Sequence, residues 1–225
     1  MTPGEGLVVV VPRGFDPAKV PGILERKRSW IERTTRRLEA AHGESEVEAL
    51  GALPRELDLR CLGLVWKIDY APGSAGTDAR TRTVVRERPG RQLVVHGDKR
   101  DAAACRAALR RWLVRKARRT LAPRLAVLAC EHGFDLGPVS VRTQRTRWAS
   151  CSRRAAISIN AALLFLPPEL VDYVLLHELC HTVRPDHSPA FWDLLSKHDP
   201  DCLDKRQRMR NARRSVPRWL DERVA

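Results

Sequence analysis

No stretch of this chain holds enough consecutive apolar residues to cross a bilayer. The longest runs, Leu7 to Val11 and Ala161 to Leu166, fall far short of the roughly 18 residues a spanning helix needs, so no membrane partner is expected. The opening MTPGEGLVVVVPRGF lacks basic residues ahead of a long apolar core. It does not read as a secretory leader, and a cytoplasmic protein is expected. C-x-x-C pairs are missing too: the six cysteines stand at 61, 105, 130, 151, 180 and 202. That spacing argues against a cysteine zinc ribbon and predicts free, mostly buried thiols. Lysine is scarce, 7 of 41 basic residues, so arginine carries the net charge of +14. Such a charge fits a nucleic-acid or nucleotide partner, and it equally fits a chain that simply favours arginine as its cation.

What is present divides near residue 98. Valines from Gly6 to Pro12 suggest a short strand. Pro17 to Ala41 carries Ile23, Trp30, Ile31 and Leu38 as an apolar stripe, which predicts a helix. HGESE at 42–46 reads as a loop. Leu57 to Tyr70 alternates apolar and polar residues with a turn near Gly63, APGSAGTDA at 71–79 reads as a turn, and Pro89-Gly90 joins two further strands, Thr83–Glu87 and Gln92–His96. Residues 1–98 are thus expected to be β-rich with one helix, and 99–225 a mostly helical catalytic domain with a small sheet, an α+β chain overall. From Asp101 to Glu131, Ala108, Leu109, Trp112, Leu113, Leu121, Leu125 and Leu128 recur at helical spacing, with Pro123 expected to split or kink the helix. Its other face holds Arg106, Arg110, Arg111, Arg115, Lys116, Arg118 and Arg119. Val139–Thr146 and Ala155–Asn160 read as strands flanking RWASCSRR. Pro167-Pro168-Glu169 opens a helix that Pro185 stops, Ser188-Pro189 opens the next, and Lys205–Arg214 is a basic helical segment.

Within that helix lies His177-Glu178-Leu179-Cys180-His181, an HExxH motif. Residues four apart share a helix face, so both imidazoles can reach one Zn²⁺. Glu178 sits about 100 degrees round the axis, placed to act on a metal-bound water without being a ligand. A catalytic zinc takes three protein ligands and keeps one open position. The helix cannot supply the third from the same face, so the chain must turn back. Pro185 ends the helix and His187 follows, held between that break and the Ser188 cap. Asp193, Asp199 and Asp201 are the rival third ligands. The spacing to His187 equals that of the metzincins, but Arg184 stands where they have glycine.

These residues resemble the YgjP-like metallopeptidase family. The resemblance covers most of the chain: RKRSWI at 26–31, TRWASCS at 146–152, the run SINAALLFLPPELVDYVLLHELCH from Ser158 to His181, and DHSPAFWDLL from Asp186. It implies a small zincin in which His177, His181 and His187 hold the metal, Glu178 is the general base, and the TRWASCS segment borders the cleft. The family pattern has glycine where this chain has Ala149, a position at which an unusual backbone angle would favour glycine.

The expected function is therefore a zinc-dependent metallopeptidase that cleaves a peptide or protein with Glu-activated, zinc-bound water; another divalent transition metal could take zinc's place. An extended substrate could pair with Ala155–Asn160 as an edge strand. Arg145, Arg147 and Asn160 are candidate substrate-binding residues. Tyr173, Arg147 and His198 are candidates for stabilising an oxyanion, and Asn160, Asp172 and Asp193 for orienting the histidines. Two rival functions remain open on sequence: a nucleotide phosphohydrolase using Arg142, Arg145 and Arg147, and a DNA-associated, SprT-like protease.

Overall fold

The computed structural model describes residues 11, 14–33, 53–73 and 83–220. The chain divides into two compact units at Ala52/Leu53. In the first, a 3-10 turn (Pro17–Lys19), whose Ala18 N–H bonds Asp16 Oδ1 at 3.0 Å, leads into α1 (Val20–Arg26). Lys27, at φ −103° and ψ 4°, interrupts the helix, which resumes over 28–33. The remainder of the helix expected to Ala41 lies outside the described residues. So do the valine strand apart from Val11, the loop at 42–46, and most of the turn at 71–79.

The second unit is α+β. Its first sheet holds β1 (Glu56–Leu59), β2 (Leu64–Ala71), β3 (Val84–Arg88) and β4 (Gln92–His96) in the order β1-β2-β4-β3. β1–β2 and β3–β4 pair antiparallel, while β2 and β4 run parallel with Ile68 opposite Leu93. Alternation along β1 and β2 buries Leu57, Leu59, Trp66 and Ile68. They share one core with Leu109, Trp112 and Leu113 of α2 (Ala102–His132), and Trp66 meets Trp112 edge to face at 5.3 Å.

α2 is one 31-residue helix with Pro123 inside it, so the expected split does not occur. Proline deletes one backbone bond, but Leu121, Leu125 and Leu128 are buried on both sides of it, and packing of that face outweighs the loss. Asp101 caps the start through Ala104 N–H at 2.9 Å. Gly133 closes the end at φ +71°, where Phe134 N–H reaches back to Ala129 O at 2.8 Å. The basic face of α2 is partly spent on internal ties. Arg110 donates to the carbonyls of Trp219 and Leu220, and Arg111 to Thr83 O at 2.8 Å. Lys116 lies 4.6 Å from the Trp66 ring centroid and 3.8 Å from Glu87. These cations hold the first sheet and the C-terminal segment to the helix, which weakens the nucleic-acid reading of the stripe.

The second sheet contains β5 (Val139–Arg142), β6 (Ala149–Cys151) and β7 (Ile157–Asn160) in the order β5-β7-β6. β7 runs parallel to β5 and antiparallel to β6. Three expectations change. The strand over 139–146 stops at Arg142, so Arg145 lies with Arg147 in the loop that follows. The RWASCSRR segment contains a strand of its own. The strand over Ala155–Asn160 begins at Ile157 and is central, with both sides occupied, so it has no free edge. A 3-10 turn (Ala161–Phe165) then leads to α3 (Pro168–Val183), α4 (Pro189–His198) and α5 (Cys202–Met209). Among the described residues no helix is long and apolar enough to cross a membrane.

The β6–β7 hairpin is braced by the loop after α2. Ile157 N–H donates to Pro138 O at 2.9 Å, and Gly137 lies so close that a Cβ there would stand 2.3 Å from Ala155 O. Ala155 itself adopts φ +55° in the turn, whereas Ala149 sits in the regular strand β6 and has no positive φ. Gly137→Ala is expected to cost about 1–3 kcal/mol of overpacking. At roughly 2–4 °C per kcal/mol for a domain of this size, a thermal melt should register it. An unchanged melting temperature would show that the brace yields without cost.

Candidate metal centre and cleft

α3 begins with Pro167 and Pro168 and ends where Pro185 keeps Arg184 extended, at φ −126° and ψ 99°. Its apolar residues from Leu170 to Cys180 are buried, and Glu178 with them, at 6% exposure. His177 and His181, one turn apart, direct their Nε2 atoms to a common point with a separation of 3.1 Å. The turn between α3 and α4 brings His187 to the same point, with Nε2 3.1 Å from His177 and 3.2 Å from His181. Among the described residues this is the one group of three or more His, Cys, Asp or Glu side chains with donor atoms within 4.8 Å of one another. No aspartate joins it. Asp199, a rival third ligand, is buried against Lys205 Nζ at 2.6 Å.

The donor set fits a first-row divalent ion. Metal–nitrogen bonds of about 2.0–2.1 Å in a tetrahedral sphere put ligand nitrogens about 3.3–3.4 Å apart, close to the separations here. Three imidazoles suit zinc or its neighbours better than magnesium or calcium, which take oxygen donors. His181 Nδ1 lies 3.0 Å from the carbonyl oxygen of Arg184. A carbonyl only accepts, so the proton sits on Nδ1 and the lone pair of Nε2 faces the other two rings. Burial, then the neighbouring His181 and His187, then Arg206, push the His177 imidazole down to about 3, which keeps it in the neutral, ligating form. His187 is held down by burial, His181 and Arg206, against an opposing pull from Asp186.

Phe191 of α4 is the common floor of the triad. It is fully buried, and its ring centroid lies 4.9, 4.5 and 4.9 Å from those of His177, His181 and His187. Trp192 stacks on His187 at 5.8 Å and an interplanar angle of 28°.

Beside the triad a cleft of about 280 Å³ is lined by Thr146–Ala149, by Tyr173, Val174, His177 and Glu178 of α3, and by Met209 of α5. Burial pushes the Glu178 carboxyl up to about 7, while a bond from the backbone N–H of Cys151 and the Arg147 charge act the other way. That backbone bond follows from the ladder. Ser152 N–H bonds Ala156 O and Asn160 N–H bonds Trp148 O, so the even-numbered residues face β7. The backbone groups of Ala149 and Cys151 therefore point outward, off the free edge of β6.

The other candidates separate. Arg147 and Tyr173 line the cleft, but Arg145 does not. Asn160 is fully buried; its amide donates to Gln144 O and Arg147 O, both at 2.7 Å, and accepts from Ala162 N–H at 3.0 Å. Its side chain is committed to shaping the 144–148 loop. Asp172 forms a two-pronged pair with Arg124 at 2.9 and 2.7 Å, and so does not orient a histidine. His198 pairs with His132, Nδ1 to Nδ1 at 3.1 Å, and does not line the cleft. Arg142 donates to Ser140 Oγ at 3.2 Å on β5. Sequence reasoning missed three parts of the site: the Arg184 carbonyl, the Phe191 floor and the β6 edge.

A family model for the YgjP-like, metallopeptidase domain matches residues 1–212. The chain belongs to the YgjP-like metallopeptidase family. Membership implies a divalent metal and a peptide or protein substrate. No curated protein and no solved structure matches the chain. If the YgjP-like triad depends on its aromatic floor, Phe191→Ala should destabilise the protein by about 3–5 kcal/mol and weaken metal binding as well. A variant that melts earlier but binds metal as tightly as the parent would mean that the rings hold their positions without it.

Proposed function

We propose that the chain is a zinc-dependent peptidase in which His177, His181 and His187 hold the cation and Glu178 is the general base. The reading rests above all on the convergence of three Nε2 atoms within 3.1–3.2 Å beside a buried carboxylate. A divalent cation bound there would polarise a peptide carbonyl and make water acidic enough to attack near neutral pH. Glu178 takes the proton from the attacking water and hands it to the leaving amine. Cys151 N–H orients the Glu178 carboxylate from β6. The outward backbone groups of Ala149 and Cys151 offer an extended peptide an edge to pair with, in place of the central β7. Arg147 and Tyr173 stand where a second donor could face the substrate carbonyl.

The phosphohydrolase reading loses support because its three arginines do not gather. Of Arg142, Arg145 and Arg147, only Arg147 lines the cleft. The DNA-associated reading loses support because part of the basic stripe is tied internally.

Elemental analysis of the purified protein should find about one zinc per chain, lost when His177 and His181 are both replaced by alanine. Glu178→Gln should keep the metal and lower peptide turnover by roughly 10²–10⁴. Full turnover in that variant, with metal retained, would remove Glu178 from the role of base.

A further inference from the structure

The basic segment after α4 has no part in the reaction proposed above, yet it reaches the cleft. Arg206 of α5 lays its guanidinium over Trp192, 4.3 Å from the ring centroid, and Trp192 is the ring that stacks on His187. Met209, one turn further along the same helix, lines the cleft. On the other wall Arg147 lines the cleft directly, and Arg213 lies 5.3 Å from the ring centroid of Trp148 while donating to Gln144 O at 3.2 Å.

Several of the acids on these elements are held by other partners. Glu178 is the one carboxylate in the lining. Asp186 Oδ1 accepts from Ser188 N–H at 3.3 Å, Asp199 holds Lys205, and Glu169 and Asp204 both pair with Arg208. Among the described residues neither Arg147 nor Arg206 forms an ion pair with a carboxylate.

A guanidinium stacked on an indole is held by its face while its edge N–H groups stay free, which is the geometry for two-pronged capture of a carboxylate. The stack also lowers the ordering cost of a long side chain at the moment of binding. We propose that the cleft selects peptides with an aspartate or glutamate close to the scissile bond, received by Arg206 on the Trp192 side and by Arg147 on the β6 side. The proposal rests on the peptidase reading and specifies its substrate class. The net charge of +14 favours encounter with acidic segments in general.

The test is equilibrium binding to full-length Glu178→Gln protein, read by fluorescence anisotropy. The probes are labelled alanine-based hexapeptides with Glu-Glu, Gln-Gln or Lys-Lys at the centre. The Glu-Glu peptide is expected to bind about tenfold more tightly than Gln-Gln, a difference of about 1.4 kcal/mol, and the gap should shrink as salt rises. Added Arg206→Glu should erase or invert the preference, and Arg206→Lys, which keeps the charge but loses the planar fork, should weaken it without inverting it. Arg147→Glu is the second probe, made at an exposed loop position.

Equal affinity for the three peptides would overturn the proposal. So would an acid preference that survives both charge reversals, or displacement of all three labels by ATP when Glu-Glu and Gln-Gln bind alike, which would assign the arginines to phosphates. Casein digestion by the zinc-loaded wild type reads the peptidase assignment separately. Acid-selective binding without digestion would overturn that assignment while supporting the role of the arginines.

Discussion

Pro185 denies Arg184 a helical conformation, and the carbonyl so released turns to His181 Nδ1 at 3.0 Å. This bond does two things. It fixes the tautomer of His181, so that Nε2 presents a lone pair to its neighbours. It also sets the direction in which the chain leaves α3, and that direction carries His187 back over the end of the helix. The turn joins His187 to the pair on the helix face, and α4 brings Phe191 beneath all three rings. The centre thus depends on one backbone carbonyl whose position is dictated by a proline.

Around this point the molecule uses aromatic rings to fix what is charged or polar. Phe191 supports the triad from below, Trp192 carries His187 and Arg206, and Trp148 carries Arg213. Trp66 and Trp112 do the same further away with Lys116 and Glu87. In an arginine-rich chain such stacking limits the freedom of long side chains that would otherwise sample solvent. Other cations are tied to the backbone instead: Arg110 and Arg111 donate to main-chain carbonyls.

Much of this was legible in the sequence where local chemistry decides the outcome. The prolines at 167, 168, 185 and 189 mark helix ends because they act on the backbone whatever surrounds them. The i, i+4 spacing of His177 and His181 requires only helical geometry, and the break after His181 leaves His187 few directions. The alternation in β1 and β2 and the Pro89-Gly90 turn were readable for the same reason. What escaped depends on distant partners. β6 is three residues long and has no pattern of its own; it is a strand because β7 lies beside it. Pro123 did not split α2 because leucines on both sides of it are buried. Asn160 reads as a polar residue at a strand end, and only the closed loop around it shows its amide to be fully used. The Arg184 carbonyl belongs to the backbone, so no side chain announces it.

The shortness of β6 limits how much of a substrate the protein can read through backbone pairing. Only Ala149 and Cys151 turn their backbone groups outward, and the N–H of Cys151 is already given to Glu178. Three groups remain, which span little more than one dipeptide unit of an extended strand. A long strand grip, indifferent to side chains, is therefore not built into this edge. If a peptide pairs with this edge as proposed, discrimination between substrates would fall to the side chains on the cleft walls and the recognised footprint would be short, so that a small change in those walls would retune the choice without disturbing the histidine centre.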